Sequence, residues 1–357
     1  MKKLFIFIFF FLLLFSSSVL ALPSWFEEGT YIKYALPMPE DKGSRDFQIF
    51  TLHPALISPG IYQKLSQVSE VPEDALIGLF VYGDVFLTFR IVNVTGSVAL
   101  INVTLELYNI KVNFWDSLDA LNISTLLTLN LTDLTYRDKN GNVIGTPSFF
   151  IDPQNPPKKG DLIVKTSLLK NYGVHIGGDL IVKNVSYTVH MNQTLLTYAR
   201  NFTPPYITVV SNKEPLIWAV GNGSLSSSSS FEAIYDFNSG LMIGLMPPSQ
   251  PSEFLALGII ESSFLDYTAT KNLHKLYKSG EDSVKWWLQG FNLYETNIEF
   301  WELKKVEAPE SSMKYFFIVG LFLLLIILVK KLRGEKNEAA FADNTACILI
   351  PSLGNSF

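Results

Sequence analysis

Two apolar segments, residues 4–15 and 315–329, bracket this chain and leave nearly everything between them to fold on one side of a membrane. The first follows Lys2 and Lys3 and gives way to Ser16, Ser17 and Ser18, then to Val19-Leu20-Ala21. Val19 and Ala21 occupy the small-residue positions that a signal peptidase reads, so residues 1–21 are expected to be a cleaved signal peptide. The alternative is an uncleaved anchor, for which this apolar run is short.

The second run is expected to be a transmembrane helix over residues 313–330. Its 17 residues from Met313 to Val329 reach about 25 Å, against roughly 30 Å of hydrocarbon. Lys314 on one side and Lys330 and Lys331 on the other can snorkel to close the gap. Lys330, Lys331 and Arg333 form a basic cluster at one end only, which belongs on the cytoplasmic side. The expected protein is therefore a single-pass type I protein of the cell membrane. Residues 22–312 lie outside, 331–357 form a cytoplasmic tail, and lipid is the partner of the C-terminal helix.

Of the 28 Lys and Arg, two precede the first apolar run and five follow residue 312, which leaves 21 in the exterior part; three of the 33 Asp and Glu lie in the tail, which leaves 30. An excess of about nine acidic charges, with no Lys/Arg-rich tract, excludes nucleic acid as a partner. The single cysteine, Cys347, falls in the expected tail. The exterior domain has neither disulfides nor thiolate metal sites and must be stabilised by its core. The 27 Phe, 15 Tyr and 6 Trp of the chain supply one.

The exterior residues alternate with the period of a strand. Ile101, Val103, Leu105 and Leu107 share one face, opposite Asn102, Thr104 and Glu106. Over residues 181–191, Val185, Tyr187, Val189 and Met191 are expected opposite Asn184, Ser186, Thr188 and His190. Turn residues join strands into hairpins: Gly96 between residues 85–92 and 98–108, Asn140-Gly141 after residues 131–137, and Asn238-Ser239-Gly240 between 231–235 and 241–246. Residues 152–160, with Pro153, Pro156 and Pro157, and the serine run 226–230 read as loops or linkers, the former a candidate division into two subdomains. Helices are expected at 269–278 and 282–289, with a last strand at 291–303 before the stalk. The fold class is mainly β: antiparallel hairpins or a meander forming one large domain with minor helices, plus the transmembrane helix.

Eight N-x-[ST] sequons are the candidate modification sites: Asn93, Asn102, Asn122, Asn130, Asn184, Asn192, Asn201 and Asn222. All fall in the exterior part, and Asn102 and Asn184 fall on polar strand faces. A β-rich chain in which Asn and Thr are simply common is the plain alternative.

Three short stretches carry a resemblance. Trp25-Phe26-Glu27-Glu28-Gly29-Thr30-Tyr31, Tyr235-Asp236-Phe237-Asn238-Ser239-Gly240-Leu241-Met242 and Glu295-Thr296-Asn297-Ile298 resemble segments of uncharacterised membrane-anchored surface glycoproteins of hyperthermophilic archaea. The resemblance covers about a tenth of the chain. It implies a surface location and a β-rich fold, and no activity.

The sequence carries no zincin, nucleophile-elbow, Walker or dinucleotide motif. His53, His175, His190 and His274 are scattered, with no i, i+4 pair. Residues 138–142 begin like a calcium loop, but Val143 and Phe149 stand where Gly and Glu are needed. Asp116 and Asp119 beside Trp115 are a candidate glycosidase pair, weighed against ordinary solvated loop acids. Trp286 and Trp287 adjoin, so on a strand or a helix they cannot both enter one core. With Trp301 they form a candidate sugar-stacking surface or a membrane-proximal belt, against ordinary packing.

No catalytic residue, metal ligand or cofactor is expected. The leading function class is a non-catalytic surface protein of envelope or adhesion type, its protein or polysaccharide partner unnamed by the sequence. A surface receptor for a small ligand or polymer, associated with a transporter, is the second class, and a surface glycoside hydrolase the third. A deep aromatic-lined pocket favours the second and converging carboxylates the third.

Overall fold

The computed structural model describes residues 22–300 apart from 44, 72–74, 139–140, 190–192, 221–222 and 281–284. The chain divides into a compact unit ending at Glu299 and a second unit, Phe300–Phe357. The expected signal peptide, transmembrane helix, tail, Trp301 and Cys347 lie outside the described residues. Among the described residues, no helix is long and apolar enough to cross a membrane.

The fold is mainly β and largely antiparallel. Its first half holds β1 (Tyr31–Leu36), β2 (Gln48–Leu52), β3 (Ile77–Val81), β4 (Val85–Thr95), β5 (Val98–Val112), β6 (Asp116–Asn130), β7 (Thr135–Arg137), β8 (Val143–Gly145), β9 (Leu162–Val164) and β10 (His175–Ile176). The second half holds β11 (Leu180–Thr188), β12 (Thr194–Leu196), β13 (Asn201–Phe202), β14 (Tyr206–Ser211), β15 (Glu214–Val220), β16 (Gly223–Ser229), β17 (Glu232–Asp236), β18 (Met242–Leu245), β19 (Ile259–Ser263), β20 (Lys285–Trp287) and β21 (Phe291–Thr296). Three helices complete the unit: α1 (Pro59–Ser66), α2 (Ser252–Ala256) and α3 (Tyr267–Ser279).

Twelve strands close into a barrel in the order β5-β4-β1-β21-β18-β17-β14-β11-β9-β8-β7-β6, with β6 pairing back onto β5. Strands from both sides of the 152–160 loop belong to this one ring. Long β5 holds the closure. One of its edges pairs with β6, while the other pairs first with β4 and then, from Ile110 to Val112, with β3. Through β3, the strands β2 and β19 extend the sheet as a spur.

Alternation explains why these residues form this wall. Ile101, Val103, Leu105 and Leu107 are fully buried, as are Val85 and Leu87 of β4 and Leu121 and Leu129 of β6. The enclosed space is filled, so the barrel is a packed core. Phe89 of β4 stacks on Phe149 at 4.9 Å between ring centres, and Phe149 meets Phe150 at 4.8 Å. Phe254 of α2 packs edge-on against Phe50 and Phe291. Burying such rings contributes roughly 2–3 kcal/mol each relative to exposure.

Four expectations are corrected. The serine run is no linker: β16 pairs along its whole length with β15. Serine is small, and its hydroxyl does not prevent the backbone from completing a ladder. Residues 285–287 are strand β20, running parallel to β12, where a helix was expected. Helix α3 stops at Gly280, in the left-handed conformation at φ 75°, and Trp286 and Trp287 then pair with Leu195 and Leu196. On β11, the register from Asn184 to Thr188 keeps Val185 and Tyr187 on one side, but Tyr187 is exposed, as is Val189 beyond the strand, so that side is not buried as the pattern implied. The run 131–137 is a turn up to Leu134, with only Thr135–Arg137 as strand. The β4–β5 hairpin, the β17–β18 hairpin and the helix over 269–278 appear as the spacing predicts.

Candidate functional site

At the centre of the barrel lies a carboxyl with no counter-charge. Glu253 on α2 is fully buried, and none of the ion pairs among the described residues involves it. Its Oε1 accepts the Ser148 backbone N–H at 2.9 Å, and its Oε2 lies 3.3 Å from Ser252 Oγ. Burial holds this carboxyl above the usual carboxylate range. Tyr34, Tyr136 and Tyr235 surround it, their phenols pushed well up by the same burial. Tyr34 donates to the Met242 carbonyl at 2.7 Å and Tyr235 to the Ser148 carbonyl at 3.0 Å. The Tyr136 hydroxyl stands beside Glu253 but outside hydrogen-bond geometry. The Glu253 and Tyr235 contacts tie α2 and the segment before Phe149 to the wall, and the Tyr34 contact ties β1 to β18.

Tyr235 also lines a cavity of about 340 Å³ that opens between the turn after β6 and the segments around residues 146–163. Phe150, Val209, Phe231 and Tyr235 supply an apolar lining; Asp133, Asp152 and Asp161 supply its polar groups. Each of these carboxylates is already used locally. Asp133 accepts from the Thr135 hydroxyl at 2.7 Å and pairs with Arg137 at 2.8 Å. Asp152 accepts the Gln154 N–H at 2.9 Å, and Asp161 the Lys158 N–H at 2.7 Å. The cavity has the size and character of a small-molecule site with an apolar body and a polar edge.

A second buried carboxyl, Asp266, caps α3. Its Oδ1 accepts the Ala269 N–H at 2.7 Å, and its Oδ2 accepts from Tyr198 Oη and Asn292 Nδ2, both at 2.9 Å. Burial is the largest influence on it and raises it to about 7 despite these donors. The Asp266 and Glu253 networks share no hydrogen-bond partner.

Four of the six described sequons share one face. By register, Asn93, Asn102, Asn122 and Asn130 stand on the outer side of β4, β5 and β6: Arg90 opposes Asn102, Asn102 opposes Leu126, Glu106 opposes Asn122, and Val98 opposes Asn130. Asn93, Asn122, Asn184 and Asn201 are exposed, and Asn102 and Asn130 are half-exposed. Asn192 and Asn222 lie outside the described residues.

The candidate acids Asp116 and Asp119 open β6, half-exposed and exposed, beside a tip that neither pattern nor motif signalled. There Asn113 and Phe114 adopt φ of 49° and 73°, a turn that normally takes glycine at its second position. Trp115 follows at 83% exposure. Asn113 is clamped to Gly78 through N–H to O at 2.8 Å and Oδ1 to N–H at 3.0 Å, and Phe114 stacks on Phe80.

Trp286 is more exposed than Trp287, which packs on Tyr198 at 5.3 Å. Asp138 Oδ1 accepts the Asn142 N–H at 2.8 Å, between β7 and β8. His53 Nε2 lies 3.0 Å from the Tyr172 carbonyl; His175 and His274 are exposed, and His190 is outside the described residues. Among the described residues, no three His, Cys, Asp or Glu side chains come together as metal ligands.

Compared with known proteins, the chain matches no family model, no curated protein and no solved structure.

Proposed function

We propose that this protein is a non-catalytic, N-glycosylated surface protein of envelope or adhesion type. In this reading the barrel is extracytoplasmic, residues 313–330 cross the membrane, and residues 331–357 stay inside. The observation that carries it is the sequon face. Four candidate asparagines share the solvent side of three adjacent strands, and none of the six described ones is buried. Each Ser or Thr two residues on from Asn93, Asn102 and Asn122 has the strand period needed to share that side, so a glycan there displaces no core residue. The non-catalytic part rests on the carboxylates: those lining the cavity cap turns, and the fully buried Glu253 and Asp266 hold α2 and α3 in place.

Intact mass of the protein from its native host is expected to exceed the polypeptide mass, and Asn102→Gln and Asn122→Gln are each expected to lower it by one glycan. Unmodified mass refutes the glycoprotein reading. Protease added to sealed cells is expected to remove the barrel and spare a tag after Phe357; loss of the tag refutes the topology. The cavity of about 340 Å³ favours the receptor class as the second reading, with a small amphipathic ligand. Protection of Tyr235 and Phe231 signals by such a ligand would select it.

A further inference from the structure

An open groove of about 600 Å³ runs between the proline-rich loop and β11. Lys158, Lys159 and Lys183, Gln154 and Asn155, and Tyr187, which is 51% exposed, are among the residues that line it. Among the described residues no carboxylate lines it, although the chain as a whole carries a net charge of −5. Among the described residues, none of the three lysines forms an ion pair. Asp161, the nearest acid in sequence, is turned onto the Lys158 N–H and lines the neighbouring cavity.

The groove is built in place. The register of β11 against β14 shifts between Val182 and Asn184, so Lys183 occupies a bulge and both Lys183 and Asn184 face solvent. Bulges re-aim side chains in this way. The facing loop is tied to β11 by Gly160 N–H to Val182 O and Val182 N–H to Asp161 O, both 2.8 Å. Asp161 N–H closes the lysine turn onto Lys158 O at 2.9 Å, and Pro153, Pro156 and Pro157 fix φ along the approach. Much of the ordering cost of presenting these charges is met by the fold, which favours binding.

We propose that this groove binds an acidic oligosaccharide. Ammonium groups suit uronate carboxylates or sulfates as point charges. The amides suit ring hydroxyls, and the Tyr187 face suits the apolar side of a sugar. A bare polyanion would use the lysines and leave the amides and the ring idle.

The test is independent of membrane topology and uses the full-length protein in detergent. A uronate hexasaccharide, a neutral glucose hexasaccharide and inorganic tripolyphosphate are titrated against wild type and variants. The uronate is expected to bind at least about tenfold more tightly than the neutral sugar and to weaken as salt screens the lysines. A Lys158→Gln, Lys159→Gln, Lys183→Gln triple variant is expected to lose roughly tenfold or more at unchanged Tm, since all three side chains are exposed. Tyr187→Ala is expected to weaken the uronate several-fold and leave tripolyphosphate unchanged. Asn184→Gln, which removes any sugar attached at the groove's edge, is expected to bind the uronate as tightly as wild type or more so. The proposal fails if neither wild type nor Asn184→Gln binds the uronate, or if the triple variant binds like wild type. It also fails if neutral and acidic sugars bind alike, or if tripolyphosphate matches the uronate and Tyr187→Ala changes nothing.

Discussion

Glu253 and Asp266 show what a single buried carboxyl does when the fold gives it donors and no cation. Glu253→Gln keeps the shape and the acceptor for the Ser148 N–H, so its stability is expected to lie within about 1 kcal/mol of wild type. Glu253→Ala leaves that N–H unpaired beside a cavity and is expected to cost about 3 kcal/mol or more in urea denaturation. Equal losses for the two would show that the carboxyl's hydrogen bonds do not matter. For Asp266 the sign follows from burial. The folded-state pKa is raised from 3.8 to about 7, so the folded protein keeps a proton that the unfolded chain gives up. The contribution of this group is therefore full below about pH 4, falls by a few kcal/mol between about 4 and 7, and is level above. The stability of wild type minus that of Asp266→Asn should decline across that window; a flat difference would contradict the assignment. Neither residue was legible in the sequence. Both sit in ordinary polar contexts, and their burial depends on groups distant in sequence: Ser148, 105 residues from Glu253, and Tyr198, 68 residues from Asp266.

At the scale of elements, the strands were the legible part, because an apolar-in, polar-out wall writes its period directly into the chain. The sequon at Asn102 shares that period, which is why it could be placed on the wet face of β5 beforehand, whereas the outer position of Asn122 emerged only from the pairing of β6 with β5. What escaped were elements decided by a partner. The serines of β16 have no alternation of their own and are a strand because β15 lies beside them. Turns differ in what surrounds them. Gly240, at φ 69°, would bring a Cβ within 2.2 Å of the Ile151 carbonyl, whereas Gly96, at φ 57°, has open space around it. Gly96→Ala is expected to cost about 1 kcal/mol of conformational strain, and Gly240→Ala at least about 3, with backbone displacement. Similar Tm losses for the two would contradict the packing described for the β17–β18 turn. Trp115 is the reverse case. It makes so little contact that Trp115→Ala should shift Tm by less than about 1 °C, while removing, among the described tryptophans, the emission most readily quenched by acrylamide.

For the whole molecule, closure is the property that no local pattern carried, because β5 pairs with β6 next to it in sequence and the ring is completed only through β21 near residue 296. A chain ended at residue 160 lacks β9, β11, β14, β17, β18 and β21, and is expected to stay unfolded and bind hydrophobic dyes. Residues 22–300 are expected to unfold in one transition, with fluorescence and far-UV dichroism coincident. Two separated transitions would favour independent subdomains instead. Closure also fixes where a load enters. By register, Thr296 lies level with Ile32, Phe89 and Val103, and the chain leaves the barrel from that end. The Phe114–Trp115 tip stands about 35 Å along the strands in the opposite direction. If something grips that tip while the C-terminal end is held, tension runs parallel to the strands. The ladder hydrogen bonds, lying across them, are then loaded in shear and resist together rather than unzipping one at a time.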